Sequence, residues 1–298
     1  MFVGFSKYFE VIIVTNQSEF TEAIKRAKLE KSDAIVGFVA TMGALHEGHM
    51  SLIETAKNQC DIVVCSIFVN PAQFNNPEDL ATYPRDVEAD QKMLIENGCD
   101  ILLLPSVEAV YPDGIQPYSI NLEGLDEGME GTFRPGHFKG VCMVVERFLR
   151  MVTPDKAYFG LKDYQQLAII RKMAAIRNLP TEIVGVAIKR AENGLALSSR
   201  NALLSPEKLE KATHIYKTLL AGLEFSKTNK NAASIKKHIE AGFADTELEI
   251  EYVAIVDNDT LVPVKEVDAN ATVCIVVFSG KVRLLDNMQF SSVLGTEI

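Results

Sequence analysis

The 298-residue chain contains no apolar run approaching the roughly eighteen residues needed to cross a bilayer, which excludes a helical membrane span. Its opening, MFVGFSKYFEVIIVT, has no basic segment followed by a small-residue cleavage site. It reads as cytosolic chain with a short N-terminal extension, not as a signal peptide. The five cysteines, Cys60, Cys65, Cys99, Cys142 and Cys274, are odd in number, lack paired metal spacing and sit mostly inside apolar runs. Reduced, packed thiols of a cytoplasmic protein are the expectation, rather than a disulfide framework. There is no Lys/Arg block long enough to form a basic face, and the formal net charge is -10, so no nucleic-acid partner is expected. Any phosphate site must then be a local device. Internal repeats and low-complexity tracts are also missing, and no Ser or Cys has a neighbouring base that would point to a covalent acyl-enzyme.

What the chain does have is the balance of a folded protein, with 47% hydrophobic and 23% charged residues. Apolar runs at 34–41, 61–69, 100–105, 155–160 and 181–189 read as strands. Helical patterns near 47–59, 86–97, 139–152 and 163–178 lie between them. This alternation predicts an α/β fold: a Rossmann-like, doubly wound parallel sheet, with ligands beyond the carboxyl ends of its strands. After Arg190 the pattern changes to helices at about 205–227 and 231–243, then the strands LEIEYVAIVD, ATVCIVVFSG and KVRLLDN. These predict a smaller C-terminal α+β domain, giving domains 1–188 and 189–298.

The most informative stretch is TMGALHEGHMSL (41–52). A buried strand ends at Thr41, Gly43 permits a tight turn, and a helix begins near Glu47. The first amides of that helix lack partners within it, and its dipole favours negative charge there. His46 and His49, three apart, share one side of the first turn and can donate to phosphoryl oxygens as charge builds up. A His/His metal pair has suitable spacing, but no third Cys or His lies nearby. Lys162, just past a strand, suits a phosphate clamp or a solvated helix start. Ser198, Ser199 and Arg200 lie on a Gly-containing loop that suits either a lid or a capping turn.

His-x-Gly-His after the first strand resembles the signature of the HIGH-type nucleotidyl transferases and class I aminoacyl-tRNA synthetases. Further segments, FVNPAQF (68–74), EDLATYPRD (78–86), YPDG (111–114), RPGHFKGV (134–141), FGLKDYQQL (159–167) and GLALSSRN (194–201), resemble the pantothenate synthetase family in order and spacing. The resemblance runs from about Ile12 over nearly the whole chain. It implies that ATP and (R)-pantoate give pantoyl-adenylate and pyrophosphate, after which β-alanine displaces AMP. It implies ATP contacts from Met42, Gly43, Ala44, Leu45, His46, Glu47, Gly48 and His49, with His49 as proton donor. Gly160, Leu161, Lys162 and Asp163, the backbone of Lys189, and Leu197, Ser198, Ser199 and Arg200 complete that set. Catalysis falls to His49, His46, Lys162 and Arg200.

By the same resemblance, Gln73 and Gln166 bind pantoate, whose gem-dimethyl group lies against Val141, Val144 and Val145. Periodicity alone explains those valines equally well as core. Asp90 corresponds to an acid near the Mg²⁺ that accompanies ATP, and a homodimer is expected, with residues 189–298 acting as a lid. The chain departs from the family pattern at Ala40, Asn75, Ala89 and Leu161, where proline, glycine or aspartate, a further acid and glutamate are usual. None of these removes a residue with an assigned chemical role, since the resemblance implies that the contact at Leu161 is made through the loop backbone. Two rival readings are another HIGH-type adenylyltransferase, such as one acting on a phosphorylated metabolite, and a non-catalytic nucleotide sensor. Both histidines, Lys162 and Arg200 argue against the sensor.

Overall fold

The computed structural model describes residues 11–29, 31–74 and 77–294, so Asn75 lies outside the described residues. In chain order the elements are β1 (Ile12–Val14), α1 (Gln17–Leu29), β2 (Val36–Thr41), α2 (Glu47–Gln59), β3 (Ile62–Ile67), α3 (Pro77–Thr82), α4 (Val87–Glu96), β4 (Ile101–Leu103) and α5 (Val107–Val110). Next come α6 (Glu130–Phe133), α7 (His137–Val152), β5 (Lys156–Gly160), α8 (Tyr164–Ile176) and β6 (Glu182–Val186). The last are α9 (Pro206–Ala212), α10 (His214–Ser226), α11 (Ala232–Ala241), β7 (Leu248–Asp257), β8 (Ala271–Ser279), β9 (Val282–Gln289) and α12 (Ser291–Leu294).

The chain divides into two compact units. One comprises the described residues up to Ile120 together with Gly136–Phe159 and Ile170–Val186; the other comprises Asn121–Pro135, Gly160–Ile169 and residues from Ala187 onward. The first unit holds a six-stranded sheet in the order β1-β4-β3-β2-β5-β6. The β1–β4, β4–β3, β3–β2 and β2–β5 pairs are all parallel. VGFVAT and IVVCSI are almost wholly buried, as expected of strands covered on both faces. On one side Ile53 and Ala56 of α2 and Leu94 of α4 pack on Val39, Val63 and Cys65. Each of the Ile53, Leu94, Val39 and Val63 side chains contributes roughly 1.5–3 kcal/mol by leaving water. The strand order reverses between β2 and β5, so the ligand crevice of such a sheet lies off the carboxyl end of β2.

The second unit is built on the antiparallel sheet β7-β8-β9. Val273, Ile275 and Val277 of β8 and Leu284 of β9 form a core with Ile215, Leu219 and Leu223 of α10 and with Ile235 and Ile239 of α11. The opposite face carries Arg283, which pairs with Glu130 at 2.6 Å and with Glu251. Tyr252 Oη donates to Glu130 at 3.0 Å and its ring stacks on Phe133. Gln165 adds bonds to Leu125 O, Gly128 O and Glu130 N. Residues 121–135 and 160–169 thus belong to this unit although they interrupt the first one in sequence. The helical pattern at 205–227 is two helices, α9 and α10, separated at Thr213. Both β1 and α1 precede the first strand that the sequence pattern predicts.

Candidate active site

β2 ends at Thr41, whose hydroxyl donates to Ser66 O at 2.7 Å and accepts from Gly43 N at 3.3 Å. The chain then takes two successive left-handed residues, Gly43 at φ 81° and Ala44 at φ 50°. A side chain at Gly43 would meet Asp90 Oδ2 at 2.9 Å. Asp90 explains the turn. Its Oδ2 accepts from Ala44 N at 3.0 Å and its Oδ1 from Leu45 N at 2.7 Å. Burial pushes the Asp90 carboxyl up from the ordinary aspartate value, against these two amide bonds, which hold it down.

His46 is the N-cap of α2 and His49 is the third residue of its first turn. Their rings lie 4.2 Å apart. Gly48 N donates to His46 Nδ1 at 3.0 Å, and His46 N donates to His49 Nδ1 at 3.3 Å. Together these bonds form a capping box built from two imidazoles. Since both Nδ1 atoms accept, each neutral ring carries its proton on Nε2. The turn therefore holds two oriented Nε2–H donors at a helix N-terminus, where negative charge is favoured. Glu47 is exposed and Gly48 half-buried.

Gln73 is buried, donates from Nε2 to the Met42 sulfur at 2.8 Å and accepts from Asn70 Nδ2 at 3.1 Å. One N–H and one lone pair of its amide are left for a substrate. Asn70, to which the sequence reading gave no role, organises this corner. It also donates to Gly140 O at 3.1 Å and accepts from Ala72 N at 3.2 Å and Tyr111 Oη at 2.8 Å. Burial raises the Tyr111 phenol to about 12, which keeps it a donor. α7 approaches so closely that a Cβ at Gly140 would lie 2.2 Å from Ala72 O. Val141, Val144 and Val145, on one stripe of α7, are all buried.

In the second unit, Gly160, Leu161 and Lys162 are half-buried and Asp163 is exposed. Asn287 Nδ2 of β9 donates to both Leu161 O and Lys162 O at 2.9 Å. Lys189 is exposed, and its carbonyl accepts from Leu197 N at 3.0 Å. Ser198 caps a 3₁₀ turn, Ser199–Leu203, by accepting from Arg200 N at 3.3 Å. Ser199 and Arg200 are half-buried. Lys162, Ser198, Asn201 and Asp286 line a common cleft, within which Asn201 Oδ1 is buried and has no partner. Gln165 is committed to the 121–135 segment, leaving Gln166 as the half-buried member of the pair. Asn70 lies in the FVNPAQF segment but drew no role of its own, and Asp286 and Asn287 gave no site signal, because their defining partners Arg190, Leu161 and Lys162 are distant along the chain.

The departures are mild in context. Ala40 lies within β2 opposite Ser66, and Ala89 is exposed on α4. Leu161 takes part in its turn through its backbone carbonyl, whatever its side chain. Asp90 is a single acid at this turn, so a Mg²⁺ accompanying ATP there would take most of its ligands from water and phosphate. Among the described residues no three His, Cys, Asp or Glu side chains gather to hold a metal ion. Each oxygen of Asp90, the acid in question, already accepts one bond from a turn amide, which ties the carboxylate to the turn and leaves each oxygen a further lone pair.

A parallel α/β unit whose switch-point strand opens into a histidine-capped helix is the frame of an α/β protein suited to bind an anionic ligand at that helix start. Within that class the sequence profile of pantoate-beta-alanine ligase matches residues 12–289, and the chain belongs to this family. It is 48% identical over 257 residues to the pantothenate synthetase of Clostridioides difficile, covering 86% of this chain and 91% of that one. It is 44% identical to the pantothenate synthetase of Thermosipho africanus, covering 92% and 99%. The crystal structure of pantothenate synthetase from Thermus thermophilus superposes with a TM-score of 0.86 at 41% identity, covering 94% of this chain and 99% of that chain. The ligase of Francisella tularensis, described as complexed with beta-gamma ATP and beta-alanine, superposes with a TM-score of 0.77 at 35% identity. It covers 94% of this chain and 98% of that one. The chain is an enzyme of this ligase family.

Proposed function

We propose that the chain condenses (R)-pantoate with β-alanine at the expense of ATP, through a pantoyl-adenylate, with release of pyrophosphate and then AMP. The carrying observation is the double imidazole cap of α2, which fixes two Nε2–H donors at a helix start. When the pantoate carboxylate attacks the α-phosphate, charge builds on the phosphoryl oxygens and on the departing pyrophosphate. His46 and His49 donate to that charge without reorienting, and His49 is the proton donor. Lys162 and Arg200 add countercharge, and the 160–163 and 197–200 backbones cradle the nucleotide. Gln73 and Gln166 hold the pantoate hydroxyl and carboxylate, and Val141, Val144 and Val145 receive its methyl groups. In this reading Mg²⁺ arrives on the triphosphate, and the protein groups that stabilise charge are its own donors.

Residues 189–298 act as the lid of this reading, with the 190–201 loop as its moving part. Five free thiols, four of them buried, support a cytoplasmic location. No described helix is long and apolar enough to cross a membrane. Family membership supports a homodimer, which sedimentation would check. The function is tested by measuring AMP release with pantoate and β-alanine added separately and together. Sustained release that needs both acids is expected. Release independent of pantoate would overturn the reading.

A further inference from the structure

The last strand of the small sheet carries Asp286 and Asn287 side by side, both 4% exposed. Adjacent residues of a strand point to opposite faces. Asp286 shares its face with Leu284, which packs in the helical core, whereas Asn287 shares its face with Arg283, which binds Glu130. On the first face, Asp286 receives Arg190 in a two-pronged pair at 2.7 and 2.8 Å. Arg190 also donates to Gly194 O at 3.1 Å and Asn287 O at 3.2 Å, which fastens the hairpin leading into Leu197–Arg200. On the other face, the Asn287 amide bridges the carbonyls of Leu161 and Lys162, both at 2.9 Å. Asn287 N donates to Asp286 Oδ1 at 2.8 Å, coupling the two residues. The two nucleotide-contacting loops are far apart in sequence, yet both are fastened to neighbouring positions of one strand.

We propose that Asn287 is a positioning residue for the nucleotide: it sets the backbone of the Lys162 turn so that the ammonium group meets phosphate, while Asp286 fixes the companion loop. The inference rests on the reading of Lys162 as a phosphate ligand. A single –NH₂ group bridging two successive carbonyls fixes the orientation of both peptide planes. Leu161 can therefore replace the usual glutamate without loss, because the turn is specified by β9 and not by that side chain. Asp286 is less suited to a test, since it is buried and paired, and removing it would strand the half-buried Arg190 charge and destabilise the fold.

The experiment is a double-mutant cycle on the full chain with Lys162→Ala, Asn287→Ala and the pair. It reads kcat and KM for ATP, ATP affinity by calorimetry, and the denaturation midpoint. Lys162→Ala and Asn287→Ala should each lower kcat/KM for ATP by about tenfold or more, with KM for β-alanine nearly unchanged, as expected of a misplaced contact. In the Lys162→Ala background, Asn287→Ala should add less than about twofold. Equal losses in both backgrounds, or near wild-type values for Asn287→Ala, overturn the inference while leaving Lys162 in place. Wild-type ATP parameters for Lys162→Ala overturn the reading beneath it, and the inference with it. Should Asn287→Ala fail to fold, Asn287→Asp keeps the volume, removes the donor and turns a carboxylate on two carbonyls. It runs through the same cycle with the same expected outcome.

Discussion

Histidine is an uncommon helix cap, since Ser, Thr, Asp and Asn reach the first amides with smaller side chains. Two of them capping each other makes sense when the cap must also act on a ligand. The Nδ1 atoms accept from the backbone, so in the proposed mechanism structure and catalysis draw on different atoms of one ring. The two functions can be separated. Replacing His46 or His49 with Ala should slow adenylate formation by about a hundredfold, the scale of losing one transition-state donor. Pantoate affinity should move far less. His46→Ala should also lose about 0.5–2 kcal/mol of stability, and His46→Asn should restore that cap without restoring the rate. Urea denaturation beside single-turnover kinetics would show it, and recovery of rate by Asn would refute the donor role. The thiols make a second residue-scale case. Burial pushes Cys99 and Cys274 up to about 12 and Cys65 well above the ordinary range. Cys60 is half-buried and raised less. Alkylation of the native protein near neutral pH should therefore reach Cys60 first and slowly, as mass spectrometry can follow.

At the scale of elements, the turn between β2 and α2 depends on a strand end, a helix cap and an acid from α4 acting together. Ala44 sits in a left-handed conformation that a non-glycine residue adopts at a cost of order 1 kcal/mol, and Asp90 offsets that cost through two charged hydrogen bonds. Asp90→Ala should therefore expose the Ala44 and Leu45 amides to faster hydrogen exchange and slow adenylation. The Mg²⁺ concentration giving half-maximal activity should stay unchanged. A large upward shift in that concentration would make Asp90 a metal ligand after all. The helical part of this element was legible in the sequence to the residue, because the 47–59 pattern is amphipathic and bounded by glycine, histidines and a strand. Other elements were not legible. β1 has three residues and pairs only at the sheet edge, so its hydrophobic signal is short, and α1 is largely polar. Thr213 ends one helix and opens the next with no glycine or proline to mark the break. Candidate site residues were legible where the chemistry is local, as at His46 and His49. The roles of Asn70, inside the recognised FVNPAQF segment, and of Asn287 were not legible, because these amides take their roles from partners such as Gly140 and Lys162, which folding brings in from distant sequence.

Over the whole molecule, a net charge of -10 means that ATP and pantoate, both anions, approach against the general field. Binding must then be carried by local devices, and the candidates are the capped helix of the first unit and the Lys162 cleft of the second, each taken by itself. If the 190–201 loop closes on ligand, protease cleavage there should slow when ATP and pantoate are both present, and a cleavage rate indifferent to ligands would count against a lid. The order of bond making gives the stricter test. A carboxylate is a poor electrophile toward an amine at neutral pH, so its oxygen must first become part of a better leaving group. Transfer to the α-phosphate does this, breaking the α–β phosphoanhydride and releasing pyrophosphate. That half-reaction is reversible without the amine. Labelled pyrophosphate should therefore enter ATP when pantoate is present and β-alanine is absent, and the exchange should fall with His49→Ala in step with turnover. An adenylyltransferase acting on a phosphorylated metabolite would show no pantoate-dependent exchange, and a nucleotide sensor would show none. Exchange that required β-alanine would place amine attack before adenylation. In that case the imidazole pair at the start of α2 would be serving a different step.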